Sequence, residues 1–252
     1  MTNWTRRQLF GLLVTVALAG CTEAKKADPP LPMGAPLPPK QVEQEAAAPD
    51  VGDVPATFQV KFETTKGDFV IEVHRDWSPH GAARIYELVN AGYYDDCRFF
   101  RVLPTFMVQW GINGDPKVMQ KWRDANIPDD RPTGENRQSN QPGFVSFAKT
   151  DFPNSRSTQL FVNYVDNSFL DSKGFTPFGK VLSGMEVLKS LNSKYAGAPS
   201  EKQSQIQDEG NAFLDKTFPG LDSIQKASFV EASDSTGATP SSDAKPEADA
   251  QL

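Results

Sequence analysis

Two short segments of alternating apolar and polar residues, joined by a polar turn, most constrain the fold of this chain. Residues 58–63 read FQVKFE and residues 69–73 read FVIEV, so apolar side chains recur at every second position. A period of two residues is that of a strand with one buried face. The intervening residues 64–68 read TTKGD, and we therefore predict a β-hairpin.

An amphipathic helix and several further strands follow this hairpin. Ser78 and Pro79 supply an N-cap and a first-turn proline, and an apolar face then continues to Ala91 and Gly92. Strands are predicted at 98–108, 143–147, 159–165 and 175–181, and a second helix begins near Met185. Many short strands with two helices indicate a mainly β fold, either a barrel or a sandwich, capped by helices.

The N-terminal 20 residues have the features of an export signal. Arg6 and Arg7 precede an apolar run over 9–19, which is short of the roughly 18 to 20 residues that cross a bilayer. We predict a signal peptide at 1–20, and a permanent transmembrane helix is the weaker alternative. Residues 18–21 read LAGC and resemble a bacterial lipobox, which would leave Cys21 lipidated. Residues 5–10 resemble a twin-arginine signal, although ordinary signal peptides also carry two basic residues.

The remainder of the chain divides by composition. Residues 21–55 are rich in proline, alanine and charge, and residues 232–252 are similarly poor in apolar side chains, so we predict a disordered tether and a disordered acidic tail. Residues 56–231 are enough for one domain with its own core. If Cys21 carries lipid, Cys97 has no disulfide partner. Cys97 is then expected to be a small buried residue, with a reactive thiol as the less favoured alternative.

The charged residues argue against several functions. The net charge is −6, and without a basic stripe to neutralise phosphates we expect no nucleic-acid partner. His74 and His80 lack a third ligand at a suitable spacing, so we expect no metal and no cofactor. Asp129, Asp130 and Arg131 are expected to be solvated loop charges.

The segment 99–109 reads FFRVLPTFMVQ and places Arg101 among apolar side chains. At strand spacing Arg101 shares a face with Phe99, and Gln109 adds a neutral donor and acceptor. The apolar floor is expected from Phe100, Val102, Phe106 and Met107. Such a surface suits a neutral, partly apolar ligand that bears a carbonyl group. The alternative is a core strand whose arginine reaches solvent, and the segment alone leaves both open.

Three ordered blocks of the sequence resemble the cyclophilin family. The segment 99–109 resembles the signature Phe-His-Arg-Val-Ile-Pro-Gly-Phe-Met-any-Gln, and residues 157–162, STQLFV, resemble Gly-Ser-Gln-Phe-Phe-Ile. Residues 169–171, FLD, and 178–181, FGKV, resemble the Trp-Leu-Asp and Phe-Gly-Lys-Val segments. The resemblance spans roughly 57–191, and 211–230 is similar to a bacterial branch. It implies an eight-stranded antiparallel β-barrel capped by two α-helices, and peptidyl-prolyl cis-trans isomerase activity.

The resemblance also implies roles for individual residues. Arg101 would be the catalytic residue, because its guanidinium is always charged and can donate to the proline carbonyl and the imide nitrogen. The substrate-binding residues would be Phe106, Met107, Gln109, Ala148, Gln159, Phe161, Phe169, Leu170 and Phe175.

Three positions depart from the family pattern. Phe169 stands in place of a tryptophan and lacks the indole N–H donor, which implies weak binding of cyclosporin. Phe175 stands in place of the pocket histidine and cannot donate to substrate. Lys149 replaces the asparagine that usually follows the alanine.

The sequence thus predicts a monomeric isomerase that acts on proline-containing polypeptides in the cell envelope. Its domain would lie outside the cytoplasm, anchored to a membrane through the lipid on Cys21. Retention of Arg101, Gln109 and Gln159 favours an enzyme. The lost polar groups favour an alternative, a module that binds proline peptides in the same groove with little turnover. A third possibility is a structural lipoprotein with a vestigial groove.

Overall fold

The computed structural model describes residues 51–230, and its centre is one eight-stranded sheet in the order β3-β4-β6-β5-β7-β2-β1-β8. All pairings between these strands are antiparallel, as predicted. The predicted hairpin is confirmed as β1 and β2, with Thr64 opposite Gly67 at the turn. The strands are β1 (Thr57–Thr64), β2 (Gly67–His74), β3 (Arg101–Val102), β4 (Met107–Trp110), β5 (Phe144–Phe147), β6 (Leu160–Asn163), β7 (Pro177–Ser183) and β8 (Ile224–Phe229).

The two edges of the sheet meet through the segments that precede β3 and β8. The amide of Phe99 donates to the carbonyl of Asp222 at 2.9 Å, and the amide of Ile224 donates to the carbonyl of Cys97 at 2.9 Å. These bonds satisfy backbone groups that an open edge would leave unpaired. The sheet therefore curves into a barrel whose closure depends on the first residue of β8 and on residues just outside the regular strands.

Five α-helices occur in the described residues, where two were predicted. They are α1 (Pro79–Asn90), α2 (Pro116–Trp122), α3 (Met185–Lys189), α4 (Gln203–Glu209) and α5 (Asn211–Thr217). The prediction is confirmed for α1 and α3. The other three have seven residues each and bury only one or two side chains, which is too few to show a helical period. They pack around Phe100 and Ile112 in a second apolar cluster.

The main core lies between the strands and α1. Phe62 and Phe69 stack with their ring centroids 4.8 Å apart, and Trp110 meets both edge-on at 5.8 and 5.9 Å. Aromatic pairs in these geometries add to the stabilisation from burial. Cys97 is fully buried in this core, as expected. Burial raises the pKa of its thiol, so the thiolate needed for reaction is disfavoured.

The start of α1 is capped by a distant carboxylate. Ser78 occupies the predicted N-cap position, but its side chain does not bond to the first turn. Asp130 instead accepts hydrogen bonds from the amides of His80 and Gly81, both at 3.1 Å, and from the Ser78 hydroxyl. Asp130 is only 8% exposed and also pairs with Arg156 at 2.9 Å. The prediction that Asp130 is a solvated loop charge was wrong, because a helix end and a buried cation both require it.

The structured region begins before the predicted boundary at residue 56. A 3-10 helix spans Val51–Asp53, and Val54 is buried, with its carbonyl accepting a bond from Arg75 at 2.5 Å. The last residues assigned to the tether therefore belong to the domain. The signal peptide at 1–20, Cys21, most of the tether and the tail at 232–252 lie outside the described residues. No helix within 51–230 has the length and apolar character to cross a membrane.

Candidate active site

Arg101 is presented by a tight hairpin rather than by the single long strand predicted over 98–108. β3 and β4 pair in this hairpin, with Arg101 directly opposite Gln109. The amide of Leu103 donates to the carbonyl of Met107 at 2.9 Å and closes the turn. This register places the side chains of Arg101 and Gln109 next to each other at the sheet edge.

The neighbours of Arg101 in the sequence do not form the predicted floor. Phe99 and Val102 are buried in the main core, and Phe100 belongs to the second apolar cluster. The expectation that Arg101 shares a surface with Phe99 was therefore wrong, as was the assignment of Phe100 and Val102 to the floor. The hairpin turns these three side chains into the protein and leaves Arg101 at the surface of a pocket.

Three glutamines orient the arginine. Nη1 of Arg101 donates to Oε1 of Gln109 at 3.2 Å, and Nε2 of Gln109 donates to Oε1 of Gln159 at 2.8 Å. Nε2 of Gln159 in turn donates to Oε1 of Gln203 at 3.0 Å. We call Gln109, Gln159 and Gln203 the glutamine chain. In the glutamine chain each side-chain oxygen accepts from the residue nearer to Arg101, and the nitrogen of Gln109 and of Gln159 donates to the next glutamine.

The charge of Arg101 has no carboxylate partner among residues 51–230, since none of their carboxylates forms an ion pair with it. Its Nε atom is buried without a hydrogen-bond partner, and its guanidinium carbon lies 5.7 Å from the ring centroid of Phe106. Burial lowers the pKa of the guanidinium, yet an arginine stays protonated in proteins. Arg101 is therefore a permanent cation with free donors in a half-buried place.

An apolar pocket of about 180 Å³ lies beside Arg101. Met107, Phe161 and Leu170 form its buried floor. Phe161 meets Phe175 edge-to-face, with ring centroids 5.8 Å apart. The residues that the sequence predicted and that line this pocket are Arg101, Phe106, Met107, Gln109, Ala148, Phe161, Leu170 and Phe175. Tertiary folding has thus collected side chains from four separate segments around one small cavity.

Gln159 and Phe169, the other two predicted residues, lie next to the apolar pocket rather than in its lining. Gln159 lines a neighbouring cavity of about 140 Å³, and its carbonyl accepts from the amide of Ala148 at 2.8 Å. Phe169 is 53% exposed and stacks on Phe106, with ring centroids 6.1 Å apart. Phe169 therefore forms an outer apolar surface, while Gln159 supports the glutamine chain.

Phe175 closes the side of the pocket where the resemblance implied a histidine. It follows Gly174, whose φ of 79° ends the 3-10 helix Ser168–Lys173. Nδ2 of Asn140 donates to the carbonyl of Phe175 at 2.8 Å and holds this backbone in place. The wall is thus an aromatic face with no donor of its own.

Gln203 is the site residue that sequence reasoning missed. It begins α4 and lines both the apolar pocket and the neighbouring cavity. It lies between the two segments that carried the resemblance, 57–191 and 211–230, in a polar stretch with no motif. Only the packing of α4 against the barrel brings it to Gln159.

The fold and the site together define a class of protein: an antiparallel barrel with an arginine beside a small apolar pocket, and no carboxylate of residues 51–230 pairs with that arginine. Within residues 51–230, no group of three or more His, Cys, Asp or Glu side chains is arranged to hold a metal. The site itself presents a fixed cation, Arg101, beside the apolar pocket.

Comparison with known proteins identifies the family of this chain. Residues 59–210 match the family described as "Cyclophilin type peptidyl-prolyl cis-trans isomerase/CLD". The chain is 30% identical over 157 residues to the peptidyl-prolyl cis-trans isomerase of Acinetobacter baylyi, covering 61% of this chain and 79% of that protein. It is 34% identical over 155 residues to peptidyl-prolyl cis-trans isomerase A of Dickeya dadantii, covering 60% and 73%.

A solved structure supports the fold alone. The cyclophilin-type isomerase of Cryptosporidium parvum superposes with a TM-score of 0.51 at 20% identity, covering 69% of this chain and 98% of that one. Because the family match spans more than half of the sequence, this chain belongs to the cyclophilin-type peptidyl-prolyl cis-trans isomerases. Its activity is the cis-trans isomerisation of peptide bonds that precede proline.

Proposed function

We propose that Arg101 is the catalytic residue of this isomerase and that the apolar pocket holds the proline ring of the substrate. The observation that carries the proposal is the half-buried guanidinium, which has free donors and no carboxylate partner in the described residues. A substrate amide bound in the pocket would meet the Nη donors of the guanidinium that Gln109 does not occupy.

The chemistry requires no bond to break. Amide resonance sets a rotation barrier of about 18–20 kcal/mol, and the barrier falls when the nitrogen lone pair is withdrawn from conjugation. A donor aimed at the proline nitrogen stabilises the lone pair as it localises in the twisted state. Because Arg101 is already oriented by Gln109, little reorganisation accompanies rotation, which is the condition for effective electrostatic stabilisation.

The surrounding residues would bind the two ends of the rotating bond differently. Phe106, Met107 and Phe161 would hold the proline ring by apolar contact, and Gln109 and Ala148 would hold the substrate backbone. One end is then fixed while the other turns, so the site binds the twisted amide better than either planar form.

An isomerase assay on the full chain tests this proposal. Arg101→Ala should lower kcat/KM by roughly 10²- to 10³-fold, the usual effect of removing one preorganised donor. Arg101→Lys should recover only part of the rate, because an ammonium cannot keep the fork geometry. Thermal unfolding of each variant checks the fold. Equal rates in wild type and Arg101→Ala would overturn the role of Arg101. Tight peptide binding without turnover in wild type would favour the low-turnover binding module.

We also propose that the enzyme works in the cell envelope as a lipid-anchored protein and monomer. The support is the sequence around Arg6, Arg7 and Cys21, which lies outside the described residues. Metabolic labelling with a radioactive fatty acid should mark the wild type and not Cys21→Ser. The variant should leave the membrane fraction with its isomerase activity intact. Labelling of both proteins, or of neither, would contradict the anchor.

A further inference from the structure

A second, larger groove adjoins the apolar pocket. It has a volume of about 510 Å³ and is bounded by residues 129–138, by the loop at 149–153 and by residues 171–176. Phe175 and Lys149 line both this groove and the apolar pocket. A polypeptide whose proline occupies the pocket would therefore lay its neighbouring residues against the groove.

Most carboxylates in the lining are already occupied by donors from the domain. Asp130 is buried and pairs with Arg156 at 2.9 Å, and Asp129 faces the same guanidinium at 3.7 Å. Asp171 accepts from the backbone amide and the side chain of Asn140 at 3.0 and 2.7 Å. Their oxygens are directed into the protein and offer little to a ligand. Asp151 is the exception, since it is exposed and forms no ion pair within the described residues.

Three cationic side chains of the groove differ from most of its carboxylates, because they have no partner of opposite charge within the described residues. Arg131, Arg137 and Lys173 are exposed, and none of them forms an ion pair with a carboxylate of residues 51–230. The guanidinium donors of Arg131 and Arg137 are free to meet a ligand, while Nζ of Lys173 lies 5.3 Å from the ring centroid of Phe169. The whole chain carries a net charge of −6, so a cluster of free cations at this place is a local feature and not a consequence of composition.

Lys149 lies where the cavities join. It lines the groove, the apolar pocket and the cavity beside Gln159. Its Nζ donates to the carbonyls of Thr150 and Lys173 at 3.0 and 3.4 Å and lies 5.4 Å from the ring centroid of Phe175. These contacts fix the ammonium group without neutralising it. Lys149 is therefore a positioned cation beside the apolar pocket.

We infer that this groove is a subsite for acidic residues of the substrate, so that the preferred substrates are proline segments flanked by aspartate or glutamate. The inference rests on the proposed function of the apolar pocket. Lys149 would bind a carboxylate close to the proline, and Arg131 and Arg137 would bind one further along the chain. Arginine suits this role because its donors match a carboxylate in pairs.

Peptide affinity measured on the full chain by fluorescence anisotropy tests this inference without requiring turnover. The peptides contain one proline with Glu, Gln or Lys at the flanking positions. The Glu peptide should bind about five- to tenfold more tightly than the Lys peptide at about 50 mM salt, and the ratio should shrink toward about twofold at about 0.5 M salt, because exposed charge pairs are weak and screened.

Variants that remove either a positive or a negative charge from the groove test whether the preference for acidic peptides arises there. Arg131→Gln combined with Arg137→Gln should reduce the Glu-to-Lys affinity ratio by at least about half, and Lys149→Gln should do the same. Lys149→Arg keeps the charge and should retain the preference. Asp151→Asn removes the exposed carboxylate and should increase the ratio.

Lys66→Gln combined with Lys216→Gln is the matched control, because both lysines are exposed and line none of the three cavities. This variant also loses two positive charges, as the double arginine variant does, and it should keep the Glu-to-Lys affinity ratio of the wild type. An equal fall in the control, or equal affinity of wild type for all the peptides, would overturn the inference. Failure of the catalytic proposal gives a different result. In that case Arg101→Ala would keep the turnover of the wild type, whatever the Glu-to-Lys affinity ratio is.

Discussion

Nη1 of Arg101 lies 3.2 Å from Oε1 of Gln109 and donates a hydrogen bond to it, across the shortest hairpin of the sheet. Gln109 cannot reverse its amide without losing its bond to Gln159 at 2.8 Å. The arginine is thus held by a neutral acceptor, which fixes its direction without cancelling its charge. A carboxylate in this position would have bound the cation more strongly and made it less available to substrate.

The glutamine chain should show a graded effect on catalysis. Replacing Gln109, Gln159 or Gln203 one at a time by leucine keeps the approximate volume and removes the amide. We expect kcat/KM to fall about tenfold for Gln109→Leu, where the lost bond is to the arginine itself. The fall should be smaller for Gln159→Leu and smallest for Gln203→Leu. Steady-state kinetics measures this order of kcat/KM values, and thermal unfolding checks that each variant is folded. A variant at Gln203 as damaging as that at Gln109 would contradict it.

The isomerase rate should be nearly independent of pH in the neutral range. Burial lowers the pKa of Arg101 from its ordinary value, so any loss of its charge occurs as pH rises through that lowered pKa, at the alkaline end. No histidine lines the apolar pocket. We expect kcat/KM to change less than about twofold between about pH 6 and about pH 9. Two-dimensional proton NMR exchange spectroscopy on a proline peptide measures the cis-trans exchange rate without a coupling protease. An inflection near the ordinary pKa of histidine would contradict this expectation.

Cyclosporin should bind weakly, and one substitution should strengthen it. Phe169 is exposed and stacks on Phe106, so it keeps an apolar surface but offers no donor. Phe169→Trp adds an indole N–H at the same place and should lower the Kd at least about tenfold, the effect of one good hydrogen bond. Titration calorimetry measures both constants. Phe169→Leu is the control without a donor. A nanomolar Kd for the wild type would contradict the prediction.

The buried pair of Asp130 and Arg156 should be critical for stability. Arg156 is 1% exposed and donates to Asp130 at 2.9 Å and to the Ser78 hydroxyl at 3.2 Å. Asp130→Ala removes the hydrogen-bonded partner of that buried guanidinium and leaves only Asp129, 3.7 Å from Nε, as a counter-charge. Removing one partner of a buried pair costs about 3–5 kcal/mol of unfolding free energy. Chemical denaturation measures the loss. Asp124→Ala, at an exposed position, is the control and should change stability by less than about 0.5 kcal/mol. A similar small loss at Asp130 would show that the pair is dispensable.

The sequence predicted the strands of the barrel better than it predicted the buried polar contacts between distant segments. The alternation over 58–73 predicted β1 and β2 correctly because a strand with one buried face has a local signature. The same reasoning extended one strand over 98–108 through Pro104 and Thr105, where the chain turns. It could not place Asp130, since the need for a carboxylate there arises from α1 and from Arg156, which are distant in the sequence.

The residue types at the site, Arg101 with its apolar neighbours and glutamines, were readable from the sequence because they occur in short blocks with fixed spacing. Tertiary structure decided which of them face the pocket. It placed Phe100 and Val102 in two different apolar clusters and brought Gln203 to the end of the glutamine chain. It also left Arg101 without an ion pair to any carboxylate of residues 51–230. The physical reason is that burial and charge neutralisation depend on what packs against a side chain, and that partner is set by contacts between segments far apart in the chain.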